Sequence, residues 1–298
     1  MNIIVCLKEV INPLHVGPRM VMEDIPELDL REFRSMTNPY DEMAIEEALQ
    51  AIEQCKNGKI TLLTAGPESA EKVLRMGLAI GGDEAVRVWD DDFHGSDSFA
   101  IANIISRAAK KIGFDLIFCG YKSIDGGSSQ MPAMIAEALE ISFAGSVVDI
   151  ELNLSGQQMV VLRKLERGDR EKVICKLPAL VSVESGINNP RYPTVPGILN
   201  ARHADVALIN KNDLGLVDDE IGVSGSFTGV ETYAPPRPKT KKFSIPDSKL
   251  SAADRLKQLM SGGIQDRGGD TLQGEPKKIA SSFVNFLDDE SIITRKEV

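Results

Sequence analysis

The segment Gly120-Tyr121-Lys122-Ser123-Ile124-Asp125-Gly126-Gly127-Ser128-Ser129-Gln130 holds the densest set of groups that could do chemistry. Its glycines leave backbone amides accessible and its serines add hydroxyls, a combination that suits a phosphate when the loop leads into a helix. The segment lies between a short apolar run and a helical pattern starting at Met131, so it reads as a nucleotide phosphate loop. It reads equally as a glycine-rich turn whose serines cap the helix, because neither Walker spacing nor G-x-G-x-x-G is present. Thr64-Ala65-Gly66-Pro67 follows another apolar run in the same way. Alone it suits a plain turn in which Pro67 opens a helix. Taken together, the two loops and Asn38 would share one edge of a sheet, which favours a mononucleotide site.

Other reactive residues are poorly grouped. His15, His94 and His203 stand apart from any nucleophile motif, and Cys6, Cys55, Cys119 and Cys175 include no C-x-x-C pair. No catalytic dyad and no structural zinc site is therefore expected. Cys6 and Cys119 fall within apolar strands, where thiols are commonly core residues. Ser261-Gly262-Gly263-Ile264-Gln265-Asp266 shares residues with the S-G-G-x-D loop of ATP-adenylating enzymes, but it follows a helix rather than the first strand, where glycine serves as a C-cap. The 298 residues carry a net charge of −10, which suits neither nucleic acid nor an anionic membrane. The N-terminal apolar run meets Lys8 and Glu9 too early for a signal peptide, and no apolar run reaches about 18 residues. A cytoplasmic location is expected.

The elements that would position these loops follow from periodicity. Ile3 to Leu7, Ile60 to Thr64, Ala85 to Trp89 and Leu116 to Cys119 read as strands, most of them continuous in apolar residues as in a parallel sheet covered on both faces. Between them, Ile45, Ala48, Leu49 and Ile52, then Ile101, Ile104, Ile105 and Ala108, then Met131, Met134, Ile135 and Ala138 mark apolar helix faces. The fold class is α/β, a mostly parallel Rossmann-like sheet with helices on both faces. Asn38-Pro39-Tyr40-Asp41 reads as a helix start with Asn38 as its cap. Glu9 to Thr37 is then a long excursion of the functional kind. Met159 to Leu165 and Lys172 to Leu177 flank a turn and predict a β-hairpin, and Ala179 to Val183 supplies another strand, so the sheet is mixed.

Composition changes near residue 235, where Pro235, Pro236, Pro238 and Pro246 mingle with Arg237, Lys239, Lys241 and Lys242. We place a nucleotide-binding domain at 1–234 and a linker with an extended helical C-terminal arm at 235–298. The arm carries 12 basic and 9 acidic side chains, against 22 and 35 in the preceding residues. Its apolar residues, Leu256, Leu259 and Met260, then Ile279, Phe283, Phe286 and Leu287, are too few for a core. They are expected to pack on a partner subunit.

Several of these motifs occur together and in order: the first strand from Met1 to Lys8, Asn38-Pro39-Tyr40-Asp41-Glu42, Thr64-Ala65-Gly66-Pro67, Ser123 to Gln130, and Asn189-Pro190-Arg191-Tyr192-Pro193-Thr194-Val195-Pro196. In this order they resemble the β subunit of electron-transfer flavoprotein. The resemblance runs from residue 1 to about 203 and weakly through Gly274-Glu275-Pro276. It implies a heterodimer with an α subunit that holds the redox FAD, while this chain binds AMP or, in bifurcating members, a second FAD. Cys6, Asn38, Ala65, Ser123, Gly126, Ser129, Gln130 and Met131 match nucleotide contacts of the family, and Gly66, Asp125, Gly127 and Ser128 complete the two loops. The family often has a larger polar residue at the position of Gly126 and Thr or Val at that of Met131, so phosphate contacts here would be mainly backbone amides. The loop lacks two acidic residues of many AMP-type relatives, which points toward a second FAD. Arg191, Tyr192 and Val195 match the segment that recognises partner dehydrogenases, with Val where Leu is common. Asn12-Pro13 replaces a Tyr found near the flavin in some relatives.

The implied function is electron carriage from acyl-CoA dehydrogenases of fatty acid oxidation, or from NADH in a bifurcating version, to a membrane quinone oxidoreductase or a low-potential acceptor, with no catalysis by this chain itself. A stand-alone adenine-nucleotide regulator of universal-stress type is the alternative, and an adenylating enzyme a further one.

Overall fold

The computed structural model describes residues 1–15, 34–153, 157–229, 251–253, 255–256 and 274–289. The chain divides into two compact units, Met1–Pro235 and Pro236–Val298.

The first unit is built on a sheet of nine strands. In chain order these are β1 (Asn2–Cys6), β4 (Lys59–Ala65), β5 (Glu84–Val88), β6 (Leu116–Gly120), β7 (Ser142–Asn153), β8 (Gln158–Lys164), β9 (Arg170–Lys176), β10 (Ala179–Val183) and β11 (Val206–Ile209). Two further strands, β2 (Glu9–Ile11) and β3 (Ser35–Thr37), form a separate antiparallel pair at the two ends of the Glu9 to Thr37 excursion. The order across the large sheet is β11-β5-β4-β1-β6-β10-β7-β8-β9. Pairings are parallel except for those of β7 with β8 and β8 with β9, so the sheet is mixed as expected.

Helices α1 (Pro39–Cys55), α2 (Glu71–Ile80), α3 (Ser98–Ile112), α4 (Met131–Leu139) and α5 (Val195–His203) follow their strands. Alternation along β1 sorts the core into two layers. Ile3 and Val5 pack with Ile45, Leu49, Leu62, Leu74 and Phe118 beneath α1 and α2. Ile4 packs with Leu63, Ile104, Ile105, Ile117 and Ile135 beneath α3 and α4. Burial on both faces explains why these strands read as unbroken apolar runs.

Three expectations need correction. The buried face of α4 is Pro132, Ile135, Ala136 and Leu139, not the Met131, Met134, Ile135, Ala138 stripe, and Ala138 is exposed. Pro at the second helical position is apolar and packs inward, which turns the face by about one residue. Asn38 precedes α1 but makes no side-chain cap; its amide is used elsewhere, as shown below. Val195, which the family resemblance places in a recognition loop, begins α5, where Thr194 Oγ1 accepts from the Gly197 amide at 3.1 Å. The twelve-residue β7 and the edge strand β11 carry weak alternation and were not anticipated.

In the second unit, Pro276–Asp289 is a helix with Phe283, Val284 and Phe286 exposed. Residues 237–242, Leu259, Met260 and the Ser261 to Asp266 loop lie outside the described residues. Among the described residues, no helix is long and apolar enough to cross a membrane.

Candidate functional site

A cleft of about 380 Å³ opens beyond the carboxyl ends of β1, β4 and β6. This is where ligands enter an open α/β sheet, because the strand order reverses direction around β1. Of the residues expected there, Cys6, Asn38, Ala65, Ser123, Gly126, Ser128, Ser129, Gln130 and Met131 line it. Gly66, Asp125 and Gly127 do not, although each sits on a lining loop.

Asp41 and Asn38 lock the floor. Asp41 is 5% exposed, and its carboxylate accepts from the Lys8 amide at 2.8 Å, the Gly120 amide at 3.1 Å and Asn38 Nδ2 at 2.9 Å. Asn38 Nδ2 also donates to the Lys122 carbonyl at 2.9 Å, and Asn38 Oδ1 accepts from the Ile124 amide at 3.3 Å. This pair therefore ties the end of β1, the start of α1 and the loop after β6 into one piece, which is why Asn38 does not cap its helix. Burial pushes the Asp41 carboxyl up to about 7, and the three neutral donors recover only part of that cost. At Gly120 a Cβ would overlap the Asp41 carboxylate and meet the Tyr40 Cβ at 2.7 Å, so the close approach of strand and helix needs glycine.

Above this floor, Lys8 Nζ pairs with Asp125 Oδ1 at 2.7 Å and donates to Ser123 Oγ at 3.4 Å. Burial alone would raise the Asp125 carboxyl, but hydrogen bonds from Lys8, Ser123 and the Gly126 amide hold it below the ordinary carboxylate range. The amides of Gly126 and Gly127 are turned inward to Ser123 rather than left bare. Gly127 and Ser129 adopt left-handed backbone, φ +63° and +57°, and this bend carries the loop to the start of α4. There Gln130 makes no side-chain cap, so the serines do not play the simple capping part. The amides at the start of α4 remain the groups best suited to an anion.

A second helix start, missed in the sequence, also faces the cleft. Ser96, Asp97 and Ser98 line it at the beginning of α3. Asp97 Oδ1 accepts from the Phe99 and Ala100 amides, while Oδ2 accepts from the amides of Phe227 and Thr228 and from Thr228 Oγ1, all between 2.9 and 3.0 Å. These bonds outweigh burial and hold its carboxyl below the ordinary range. The clue was available: Gly95-Ser96-Asp97-Ser98 follows the third apolar run and begins a helical pattern, as the other two loops do. Lys8 was likewise noted only as the end of a strand. Ile101, Ile105, Met131 and Ile135 give the cleft an apolar wall suited to a flat heteroaromatic ring.

Arg191, Tyr192 and Val195 do not line the cleft. Arg191 Nε and Nη2 bind the Glu46 carboxylate at 2.8 and 2.9 Å, and Nη1 binds Glu53 at 2.8 Å. Burial would raise the Glu46 carboxyl, but the guanidinium and Gln50 hold it low. Asn188 Nδ2 donates to the Met43 carbonyl and Glu47. Anchored in this way to α1, the segment presents Tyr192, 93% exposed, and Val195, 70% exposed. Val195 therefore does not cover the core.

Residues 31–214 match the sequence description of the Electron transfer flavoprotein domain. The chain is similar to the electron transfer flavoprotein subunit beta of Thermoanaerobacterium thermosaccharolyticum, 36% identical over 242 residues, covering 79% of this chain and 88% of the relative. It is 36% identical over 255 residues to the subunit of the same name from Bacillus subtilis, covering 85% and 86%. It is 32% identical over 243 residues to the caffeyl-CoA reductase-Etf complex subunit CarD of Acetobacterium woodii, covering 79% and 88%.

Proposed function

The chain belongs to the electron transfer flavoprotein family as a relative of its β subunits, an electron-carrier subunit, and from that premise we propose that its cleft holds an adenine nucleotide while an α subunit holds the redox FAD. The observation that carries this reading is the meeting of the α4 start, the Ser98 hydroxyl at the head of α3 and an apolar wall on one cleft at the switch point of the sheet. The volume lies near the lower end of ligand pockets, which run from about 300 to 1,000 Å³ and so suit a mononucleotide or the AMP portion of FAD.

The residues present fit such a group. Ile101, Ile105 and Ile135 would flank the adenine, and the amides at Gln130 and Met131, with Ser98 and Ser129, would meet a phosphate. The flavin supplies the redox chemistry when bound, and this chain contributes position, charge and exclusion of water. Lys8 offsets the charge of Asp125 on the loop after β6, and the Asp97 carboxylate at the cleft spends its oxygens on the amides of Phe99, Ala100, Phe227 and Thr228 and on the Thr228 hydroxyl. The cleft volume admits AMP and the AMP portion of a second FAD alike, and the missing acidic pair in the loop after β6 favours the second FAD.

The exposed Tyr192 and Val195 support a docking role toward a flavin dehydrogenase. The relative whose name includes caffeyl-CoA reductase supports a partner that handles acyl-CoA thioesters. A membrane quinone oxidoreductase or a low-potential acceptor would take the electrons, in a cytoplasmic setting. The universal-stress reading draws no support from the family found.

The test is direct. AMP and FAD released from the purified heterodimer are quantified, beside a Gly126→Leu variant. A Cβ at Gly126 meets only Ser123 Oγ at 3.5 Å and Lys8 Nζ at 4.0 Å, so the variant should fold with its side chain at the cleft. Loss of the nucleotide of this subunit, with the flavin of α retained, is expected. Full retention would remove the cleft from the site.

A further inference from the structure

Two of the four cysteines are neighbours. β1 and β6 pair in parallel with Val5 opposite Phe118, which brings Cys6 and Cys119 level one residue further along. Adjacent strands lie about 4.7 to 4.9 Å apart, inside the Cα separation of about 4.4 to 6.8 Å that disulfides span. Both side chains face the α3 and α4 layer, Cys119 within its core and Cys6 packed against it, and both line the cleft. By contrast, Cys55 ends α1 and Cys175 lies in β9, elements with no second cysteine.

We propose that Cys6 and Cys119 form a dithiol modification site, at which a peroxide converts the two thiols into one cross-strand disulfide in the wall of the cleft. Cys6 reacts first because it is the half-buried member, whereas Cys119 is 5% exposed. The adjacent Cys6 thiol and burial keep the Cys119 thiol protonated far above the ordinary range, so it is suited to resolve rather than to initiate. The Cys6 thiolate attacks one peroxide oxygen, the O–O bond breaks, hydroxide leaves, and Cys6 becomes a sulfenic acid. Cys119 sulfur then attacks Cys6 sulfur, the S–O bond breaks, and water leaves with the Cys119 proton. The two thiols together lose two electrons, and one peroxide ends as two waters.

The bridge would join β1 to β6 at the lip of the cleft, and a ligand lying there would shield both sulfurs. Only this shielding rests on the nucleotide reading given above. The purified complex is treated with hydrogen peroxide, then digested with trypsin without reductant and examined by mass spectrometry. Met1–Lys8 linked to Ile112–Lys122, lighter by two hydrogens and separated again by dithiothreitol, is expected. Cys6→Ser and Cys119→Ala should each abolish the link. In Cys119→Ala a dimedone-reactive sulfenic acid should accumulate on Cys6. Oxidation of Cys55 or over-oxidation of Cys6 in the native chain with no linked peptide would overturn the proposal. AMP added beforehand should slow formation of the link several-fold. A link that forms at the same rate with AMP present supports the dithiol and counts against the nucleotide reading alone.

Discussion

Asp41 and Glu46 stand five residues apart on α1, each about 5% exposed, yet burial wins at one and loses at the other. Asp41 is met by two amides and a carboxamide, which are neutral dipoles, and its carboxyl rises to about 7. Glu46 is met by the Arg191 guanidinium through two bonds, and its carboxyl stays low. Dipoles cushion a buried charge, while a full opposite charge can outweigh the desolvation. The pair also separates two functions on one helix, since Asp41 holds the floor of a cleft that faces inward and Glu46 holds a segment whose side chains face outward.

The largest expected effect lies at the floor. Gly120→Ala forces a methyl into the Asp41 carboxylate and Tyr40, with no flexible side chain end to yield. A cost of about 2 to 3 kcal/mol, read as a clearly lowered melting temperature, is expected. A melting temperature equal to that of the native chain would mean that strand and helix part easily and that Asp41 is not locked.

Next in size, Arg191→Leu leaves Glu46 buried without its cation. Because Arg191 is itself partly exposed, about 1 to 2 kcal/mol of stability should be lost. The loss should be greatest at neutral pH. Glu46 has its carboxyl lowered by folding, so in the native chain the stability from this pair is present above pH 4.5 and fades as pH falls through the folded value. An acid limb in chemical denaturation identical for native and variant chains would detach Arg191 from this role.

Asp41 has the opposite sign. Its carboxyl is raised by folding, so the folded state keeps a proton that the unfolded state has already given up. Stability is full below pH 3.8 and declines as pH rises through about 7. Asp41→Asn should remove that decline, flattening the profile between pH 4 and 7, at some cost because the amide can accept through only one atom. Persistence of the slope in the variant would assign it to another group.

The smallest effect is at Val195. Removing two methyls from a side chain 70% exposed should leave the melting temperature unchanged. If the partner buries that side chain, reduction by the dehydrogenase at subsaturating carrier should slow several-fold, in line with about 1 kcal/mol of lost apolar burial. Equal rates for native and Val195→Ala chains would leave Tyr192 as the docking candidate.

Much of this architecture could be read in advance where one physical demand dominated. Ile3 to Val5, Leu62 and Phe118 are apolar because strands covered on both faces admit nothing else, and so the parallel core was legible. The hairpin of β8 and β9 was legible from its turn. β7 was not, because one of its faces meets solvent in part and its pattern of Ser, Gly, Asp and Glu resembles a loop. Within the cleft, glycines and serines announced the loop after β6. Asp97 was hidden by doubling as an ordinary helix cap, and Lys8 by ending an apolar strand. Arg191 was legible as part of a docking segment, but its anchor on Glu46 lies far away in sequence, and such pairings leave no local trace.

The strand order has a consequence for synthesis of the chain. β1 is made before the other strands of the sheet yet lies inside it, between β4 and β6. Its apolar face must wait for residues near 60 on one side and near 116 on the other, and β6 in turn waits for β10 at 179 to 183. Distant parallel pairings of this kind close slowly. The nascent first strand, with Ile3, Ile4 and Val5 still uncovered, is therefore the segment with most need of a chaperone while the remainder is being translated.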